Sequence, residues 1–541
     1  MEPMTASSPT DWYIPKWRAG LAGALAAAAS LSTGEFVGAL AAPRPGPVTA
    51  VANRVVDNAP VWFVNFGKDV FGLSDKPALI IGTVLISIII AVGLGIASRR
   101  HTRIGVLGIT VFGLLGWLAI ATDAQGGVVS GLLIAIFATA AGIATLTVML
   151  FLGSERTRER GEEGGATEGP GPAQSMREPI ASRRSFLGWA GIAAAVTTAG
   201  AAAGRSLRGR SAATEARASV EIAPVGTAED VAAQVALAEA NPINQISGIA
   251  PIVVPNDDFY RIDTALLVPQ VDPSNWTLRI HGMVDNELTF TYQELLDRAN
   301  TIAPVTLSCV SNAVGGDLVG NAVWQGIPLT ELLDEAGVQL GATQIRSTSV
   351  DGWDCGFPTD LAYDGRTALL VVAMNGEPLP IDHGFPARLV VSGLYGYVSA
   401  TKWISEIELT TLEDFDGYWI PRGWSKSGPI KTQSRIDTPR AGAGIPIGTE
   451  IAMGGVAWAP NLGIEKVEVR VDEGPWTEAE LGDSLGINSW RQWFITWVAT
   501  EGNHRVQVRA TDGSGQIQTD LPAAPAPNGA SGWHSIPVNG V

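Results

Sequence analysis

The sequence predicts a chain in three parts: an N-terminal α-helical membrane region of about five spans, a mixed α+β domain, and an all-β immunoglobulin-like sandwich. Three observations carry this. Long uncharged apolar runs are confined to the first 204 residues. From about residue 246, short β-type runs alternate with short amphipathic helices. From about 433, apolar and polar residues alternate between turn signals with no helical period.

Composition narrows the function classes. A net charge of −17 leaves no basic face for a phosphate backbone, which argues against a nucleic-acid partner. Mean hydropathy is positive, and the excess lies in the first 204 residues. Two cysteines, Cys309 and Cys355, are too few for a disulfide framework in 541 residues. The five histidines show neither HExxH nor paired-Cys spacing, so the sequence carries no zinc motif.

Residues 1–152 read as a membrane region with four spans. Residues 19–42 are Ala-rich, interrupted by Glu35 and preceded by Lys16 and Arg18. Residues 78–97 carry no charge and are long enough to cross a hydrocarbon core of roughly 30 Å. Residues 104–122 and 127–152 repeat the pattern on either side of a turn at Asp123 to Gly126. Lys and Arg near span ends stay cytoplasmic. Arg99, Arg100 and Arg103, with Arg156, Arg158 and Arg160, therefore place the amino terminus inside. A Gly-, Glu- and Pro-rich linker at 153–181 has too little apolar surface to fold and is expected in the cytoplasm.

Residues 182–204 open with Arg183-Arg184, then Ser185-Phe186-Leu187 and a run of small residues. This resembles a twin-arginine export signal placed mid-chain; the other reading is an ordinary fifth span. Either one puts the remainder on the extracytoplasmic side of the cell membrane. The first also implies the twin-arginine translocase as a partner and a domain folded around its cofactor before export. Residues 205–245, Ala-rich and polar, read as a tether.

The mixed domain covers 246–432. Residues 276–282 and 288–290 read as strands, and 291–299 and 327–338 as short amphipathic helices. Its chemistry centres on TLSCVSNAVGGDLVGNAVWQGIPL at 306–329. Cys309 ends an apolar run, Ala303 to Leu307, and faces Gly315-Gly316 and Gly320-Asn321, where backbone can approach a bulky ligand. By position alone this thiol is a nucleophile, a soft metal ligand or a small core residue. Cys355, in VDGWDCGFP, reads as buried packing.

With GNAVWQGIPL at 320–329, MNGEPLPIDHGFPARLVV at 374–391 and GYVSATKWISEIEL at 396–409, the chain from roughly 246 onward resembles the sulfite oxidase family of molybdenum-cofactor enzymes. The resemblance implies a molybdenum–molybdopterin cofactor, with Cys309 at the position of the protein thiolate on the metal. It sets His383, Arg388 and Lys402 at pterin-contacting positions, where a dianionic phosphate needs cations and donors. Asp263 or Arg261, two residues apart in NDDFYRIDTAL, falls at a cofactor contact near the start of the domain.

Two departures bear on substrate. The family carries a tyrosine in a W-x-x-R-x-Y pattern at the substrate pocket; here Trp424 stands in its place, after Trp419 and Arg422. An indole N–H donates but does not shuttle a proton as a phenol does. The stretch SNAVGGDLVGN also lacks the basic residues that follow the family's cysteine, and Asp317 adds negative charge. Sulfite is then poorly matched unless Arg422, Lys426 or Lys431 reaches in, and a neutral sulfur or nitrogen oxide is an alternative.

Residues 433–541 form the expected sandwich, in which Trp490, Trp493 and Trp497 read as packing. In the family this domain often forms the dimer contact, so a homodimer is expected through it. No haem domain, iron–sulfur cysteine cluster or histidine within a span is evident, so electrons are expected to pass to a separate cytochrome or quinone-linked carrier. The function expected is two-electron oxygen-atom transfer on a small sulfur-containing or related substrate. The alternatives are a sulfoxide or N-oxide reductase and a non-catalytic membrane-anchored binding module.

Overall fold

The computed structural model describes residues 12–40, 44–60, 74–158, 176–208, 212–226 and 228–541, with isolated positions between 61 and 73. The chain divides into two compact units, Met1–Ser211 and Ala212–Val541.

The first unit contains α1 (Lys16–Leu40), α2 (Pro47–Asn58), α3 (Asp75–Ala97), α4 (Thr102–Ala121), α5 (Val128–Gly153) and α6 (Arg183–Arg208). Five of these, all but α2, are long and apolar enough to cross a membrane. α1 packs against α3, α5 and α6. Gly23 of α1 lies against the carbonyl of Ala91, and Gly95 of α3 against that of Ala19, so closely that a Cβ at either would overlap. Small residues on both helices permit this crossing. Glu35, which interrupts the first apolar run, accepts the Val48 N–H at 3.3 Å, at the start of α2 where the helix dipole favours a carboxylate. The Arg183-Arg184 helix is built into this bundle. Phe186 is fully buried, its ring 5.6 Å from that of Trp17 and 5.5 Å from the Arg18 guanidinium. Most of the expected linker, 159–175, lies outside the described residues, but its ends pair as antiparallel strands, Glu155–Arg158 with Met176–Pro179.

The second unit begins inside the expected tether. Residues 212–219 and 228–240 are helical, as alternation of Ala with Glu and Gln favours. Arg217 donates to the Pro378 and Leu379 carbonyls at 2.8 and 2.9 Å, and Ala238 joins the main core. Chain that makes such contacts is part of the domain rather than a spacer.

Two five-stranded sheets follow. In one, Glu377–Pro378, Ala368–Met374, Val319–Pro328 and Thr301–Ser308 lie in that order, with Arg388–Val391 also paired to Ala368–Met374. In the other the order is Leu288–Thr291, Thr277–Gly282, Ile404–Thr410, Gln344–Ser349 and Asp354–Pro358, with a parallel pairing of Thr277–Gly282 to Ile404–Thr410. The helix Tyr292–Arg298 opens on a capping box between Thr291 and Glu294, and Leu329–Ala336 ends on left-handed Gly337. These match the helices expected at 291–299 and 327–338 within the usual spread of helix ends.

The C-terminal part is the expected immunoglobulin-like β-sandwich, made of a four- and a five-stranded sheet. Its strands Glu450–Trp458, Ile464–Val471, Arg491–Val498 and Gly502–Asp512 coincide with the alternating runs in the sequence. Trp493 is in the sandwich core, whereas Trp490 and Trp458 belong to the core cluster of the mixed domain. The two domains therefore share buried surface.

Candidate active site

Cys309 sits one residue beyond the strand Thr301–Ser308, whose register against Val319–Pro328 pairs Ser308 with Val319. The intervening loop closes on itself. Cys309 N–H donates to the Leu318 carbonyl at 2.9 Å, Leu318 N–H to Asn312 Oδ1 at 2.9 Å, and Asn312 N–H to the Cys309 carbonyl at 3.0 Å. The thiol is buried and its Sγ accepts the Ser311 N–H at 3.4 Å.

Three basic residues converge on one glycine. Gly384 has φ +116°, open to glycine but not to L side chains, and a Cβ there would press on both Arg388 and Lys402 at 3.1 Å. His383, Arg388 and Lys402 are all buried. Arg388 donates to the His383 carbonyl at 3.0 Å, and among the described residues it forms no ion pair. Lys402 reaches the Asp382 carbonyl at 3.1 Å and Asp263 at 2.8 Å. Burial, and then the two neighbouring cations, push His383 down to about 4. Burial likewise lowers Arg388 to about 10, and lowers Lys402 to about 8 against the pull of Asp263. This buried set has more cation than anion, which suits a polyanionic ligand and little else.

The two residues left open near the domain start turn out to be partners. Arg261 pairs with Asp263 at 3.0 Å and with Asp382 at 3.1 Å, and Asp263, 5% exposed, bridges Arg261 to Lys402. Asp263 is thus the counter-charge of the cation set, with Arg261 at its outer edge.

An aromatic wall joins cations to thiol. The Arg388 guanidinium lies 5.1 Å over Trp324, and Phe259 stands edge-on to Trp324 at 5.7 Å and to His383 at 5.5 Å. Tyr260, stacked on Phe259, is within electrostatic reach of Cys309 on one side and Arg388 on the other; burial raises its phenol far above the ordinary range. Tyr395 also lies near Cys309. Burial pushes it up to about 12, and it accepts the Lys431 N–H. Sequence reasoning missed both tyrosines. Tyr260 directly precedes Arg261 and Tyr395 directly precedes the GYVSATKW motif, but neither carries a spacing of its own.

Arg422 and Trp424 form a separate aromatic cluster. Arg422 lies 3.7 Å over the Tyr418 ring and donates to the Tyr418 carbonyl at 2.6 Å. Trp424 packs against Tyr397 at 5.9 Å and Trp419 at 6.4 Å, and Tyr397 neighbours Tyr395. Lys426 is paired to Asp416 at 2.7 Å. Lys431 donates from Nζ to the Gly529 carbonyl at 2.5 Å, and its backbone N–H bonds Tyr395. A cleft of about 390 Å³ opens where Val314 of the Cys309 loop meets Arg470, Arg505, Gln507 and Trp533 of the sandwich. Cys355, by contrast, is sealed in the core, bonded to Thr401 at 3.2 Å and pushed up to about 12 by burial.

A buried thiol and a surplus of buried cations, each within electrostatic reach of Tyr260, are chemically suited to an anionic cofactor that takes a soft ligand. Comparison with known proteins gives that class a family. Residues 265–419 match the oxidoreductase molybdopterin binding domain. The chain is 32% identical over 157 residues to the uncharacterized oxidoreductase YuiH of Bacillus subtilis, covering 29% of this chain and 76% of that protein. It is 27% identical over 341 residues to human mitochondrial sulfite oxidase, covering 53% of this chain and 61% of that protein. A solved structure of the sulfane dehydrogenase SoxCD from Paracoccus pantotrophus aligns at 22% identity over 55% of this chain and 83% of that one, with a TM-score of 0.46. The chain belongs to the sulfite oxidase family of molybdopterin-binding oxidoreductases. It spans about six tenths of the length of the mammalian sulfite oxidases it matches. The family sets aside the non-catalytic binding module. Its domain implies molybdenum–molybdopterin, and the uncompensated Arg388 beside Lys402 fits that group.

Proposed function

We propose that this chain is a membrane-anchored oxidoreductase that performs two-electron oxygen-atom transfer on a small sulfur-containing or related substrate. The observation that supports this most is the buried cation surplus around Gly384, joined by one aromatic wall to Cys309. Arg388 and Lys402 would hold the pterin phosphate with His383 beside them, Asp263 would keep Lys402 in place, and Cys309 would supply the thiolate. When bound, the molybdenum cofactor supplies two-electron redox change and oxygen-atom exchange. The protein's own groups do the rest. Tyr260 and Tyr395 stay protonated at neutral pH, since burial raises both, and so present hydrogen-bond donors beside the thiol. Phe259 and Trp324 wall off water, which strengthens every charge interaction in the pocket.

Lys431 bonds the Gly529 carbonyl beside Tyr395, and Arg470 and Arg505 outnumber Asp520 in the lining of the cleft at Val314, which supports an anionic substrate. The absence of Lys and Arg from 310–320 supports the second reading, reduction of a sulfoxide or N-oxide. Elemental analysis and two assays divide these. Stoichiometric molybdenum with turnover of sulfite against a cytochrome acceptor indicates oxidation. Turnover of a sulfoxide with a reduced dye indicates reduction. Correctly folded protein without molybdenum overturns both.

The topology follows from charge. Arg99, Arg100 and Arg103 at the α3–α4 turn support an inside position for that turn and an outside one for the catalytic unit. A cytochrome or quinone-linked carrier and a sandwich-mediated homodimer complete the proposal. Replacing Arg183 and Arg184 by Lys leaves the catalytic unit protease-protected if export uses a twin-arginine signal; unchanged surface exposure makes α6 an ordinary span.

A further inference from the structure

We infer that the C-terminal sandwich positions the Cys309 loop through His534 and Arg435; the inference rests on the reading of Cys309 as the cofactor ligand. The loop carries its own short hydrogen bonds, but its base and tip are gripped from outside. At the base, Thr306 N–H donates to the Asn488 carbonyl at 2.9 Å, and Trp490 N–H donates to Thr306 Oγ1 at 2.7 Å. At the tip, Gly315 has φ +77° and lies so close to the His534 imidazole that a Cβ would overlap the ring. That ring is fixed in turn, because Nδ1 accepts the Ile436 N–H at 2.9 Å, which leaves the proton on Nε2. Next to it, Arg435 Nη1 donates to the Gly316 carbonyl at 3.0 Å while its Nε pairs with Asp437 at 2.5 Å. Asp437 is itself held by the Ala250 N–H at 3.0 Å.

Arg435, Asn488, Trp490 and His534, which touch the loop and its base, all lie beyond the stretch that matches the molybdopterin domain. Loops tied by few contacts open locally more often than strands do, and a ligand on such a loop needs a rigid support to keep its geometry. His534 and Arg435 are positioning residues: they touch the loop backbone rather than the thiol. The sandwich therefore does more than offer a dimer surface. It sets where the thiol stands.

The test uses the full-length protein. In cofactor-free protein, iodoacetamide labelling of Cys309 and Cys355 is followed by mass spectrometry. Arg435→Met and His534→Leu are expected to speed Cys309 labelling about five- to tenfold, the equivalent of one lost hydrogen bond, with Cys355 unchanged. His534→Asn, whose Oδ1 replaces the Nδ1 acceptor, is expected to stay near the wild-type rate. In loaded protein, the Mo(V) paramagnetic resonance signal is expected to shift in His534→Leu and return in His534→Asn. Unchanged Cys309 labelling in both Arg435→Met and His534→Leu overturns the inference, and so does a parallel rise at Cys355, which would report general loosening. The two readings fail separately: a wild-type Mo(V) signal in Cys309→Ser sinks the ligand assignment, while the labelling rates still report on the clamp.

Discussion

Two charge clusters in the second unit differ in how far solvent reaches their cations. In the sandwich, Glu468 is 13% exposed and sits between Arg509 at 2.9 Å and Lys466 at 3.1 Å; burial alone would raise its carboxyl, but these two donors outweigh that and lower it. Around Gly384, Arg388 and Lys402 share only Asp263, which Arg261 also claims. In the first cluster too, two cations meet one carboxylate, but Lys466 and Arg509 remain 35% and 19% exposed, so solvent serves the extra charge. The second is closed off from water and short of anion, and burial depresses His383, Arg388 and Lys402. A fold retains such an imbalance where a ligand completes it, since an unpaired buried charge otherwise destabilises.

Four experiments would break or sharpen this contrast. Arg388→Met should have the largest effect. Losing a charge-assisted, desolvated phosphate contact should lower cofactor retention by about thirtyfold or more, while the cofactor-free protein keeps or gains stability. Elemental analysis and thermal melts read both, and a large stability loss would make Arg388 a structural cation like Arg509.

The next effect is in pH. His383 has a folded-state pKa of about 4 against 6.5 when unfolded. The unfolded chain therefore binds the proton first, and stability present above pH 6.5 is lost as pH falls towards 4. The loss is of order 3 kcal/mol in cofactor-free protein. Denaturant titrations across that window should show it, and His383→Gln should flatten the slope. A wild-type slope that persists in the variant would assign the titration elsewhere.

A smaller effect is expected from inorganic phosphate. It should stabilise cofactor-free protein by about 1–2 kcal/mol at concentrations ten- or more-fold above its dissociation constant. Arg388→Met should abolish the effect, and an equal response in the variant would move the anion site away from Gly384. The smallest is Glu468→Gln, expected to cost about 1 kcal/mol with no change in cofactor content. A loss of cofactor there would mean that the two clusters are not independent.

Much of this was legible in the sequence, and the reason is physical. A span needs only length and an absence of charge, so the apolar runs at 78–97, 104–122 and 127–152 correspond directly to α3, α4 and α5. The motif residues His383 and Arg388 lie within one turn and one strand, and Lys402 comes to the same place at Gly384. Other features were not legible because they depend on distant segments meeting. Asp263 and Arg261 looked like rivals for one role, but they are an ion pair shared with Lys402 and Asp382. The tether reads as a spacer, yet its Arg217 is tied to the carbonyls of Pro378 and Leu379, 161 and 162 positions downstream.

By itself, then, the sequence determined the three-part architecture, the long apolar helices and the family, because each follows from local composition or a contiguous motif. Only the tertiary structure decided which charges are left uncompensated, which tyrosines stand beside Cys309, and that a histidine seven residues from the carboxyl end presses on the loop that carries it. Burial, charge balance and close approach are properties of segments brought together, and no single stretch of chain holds them.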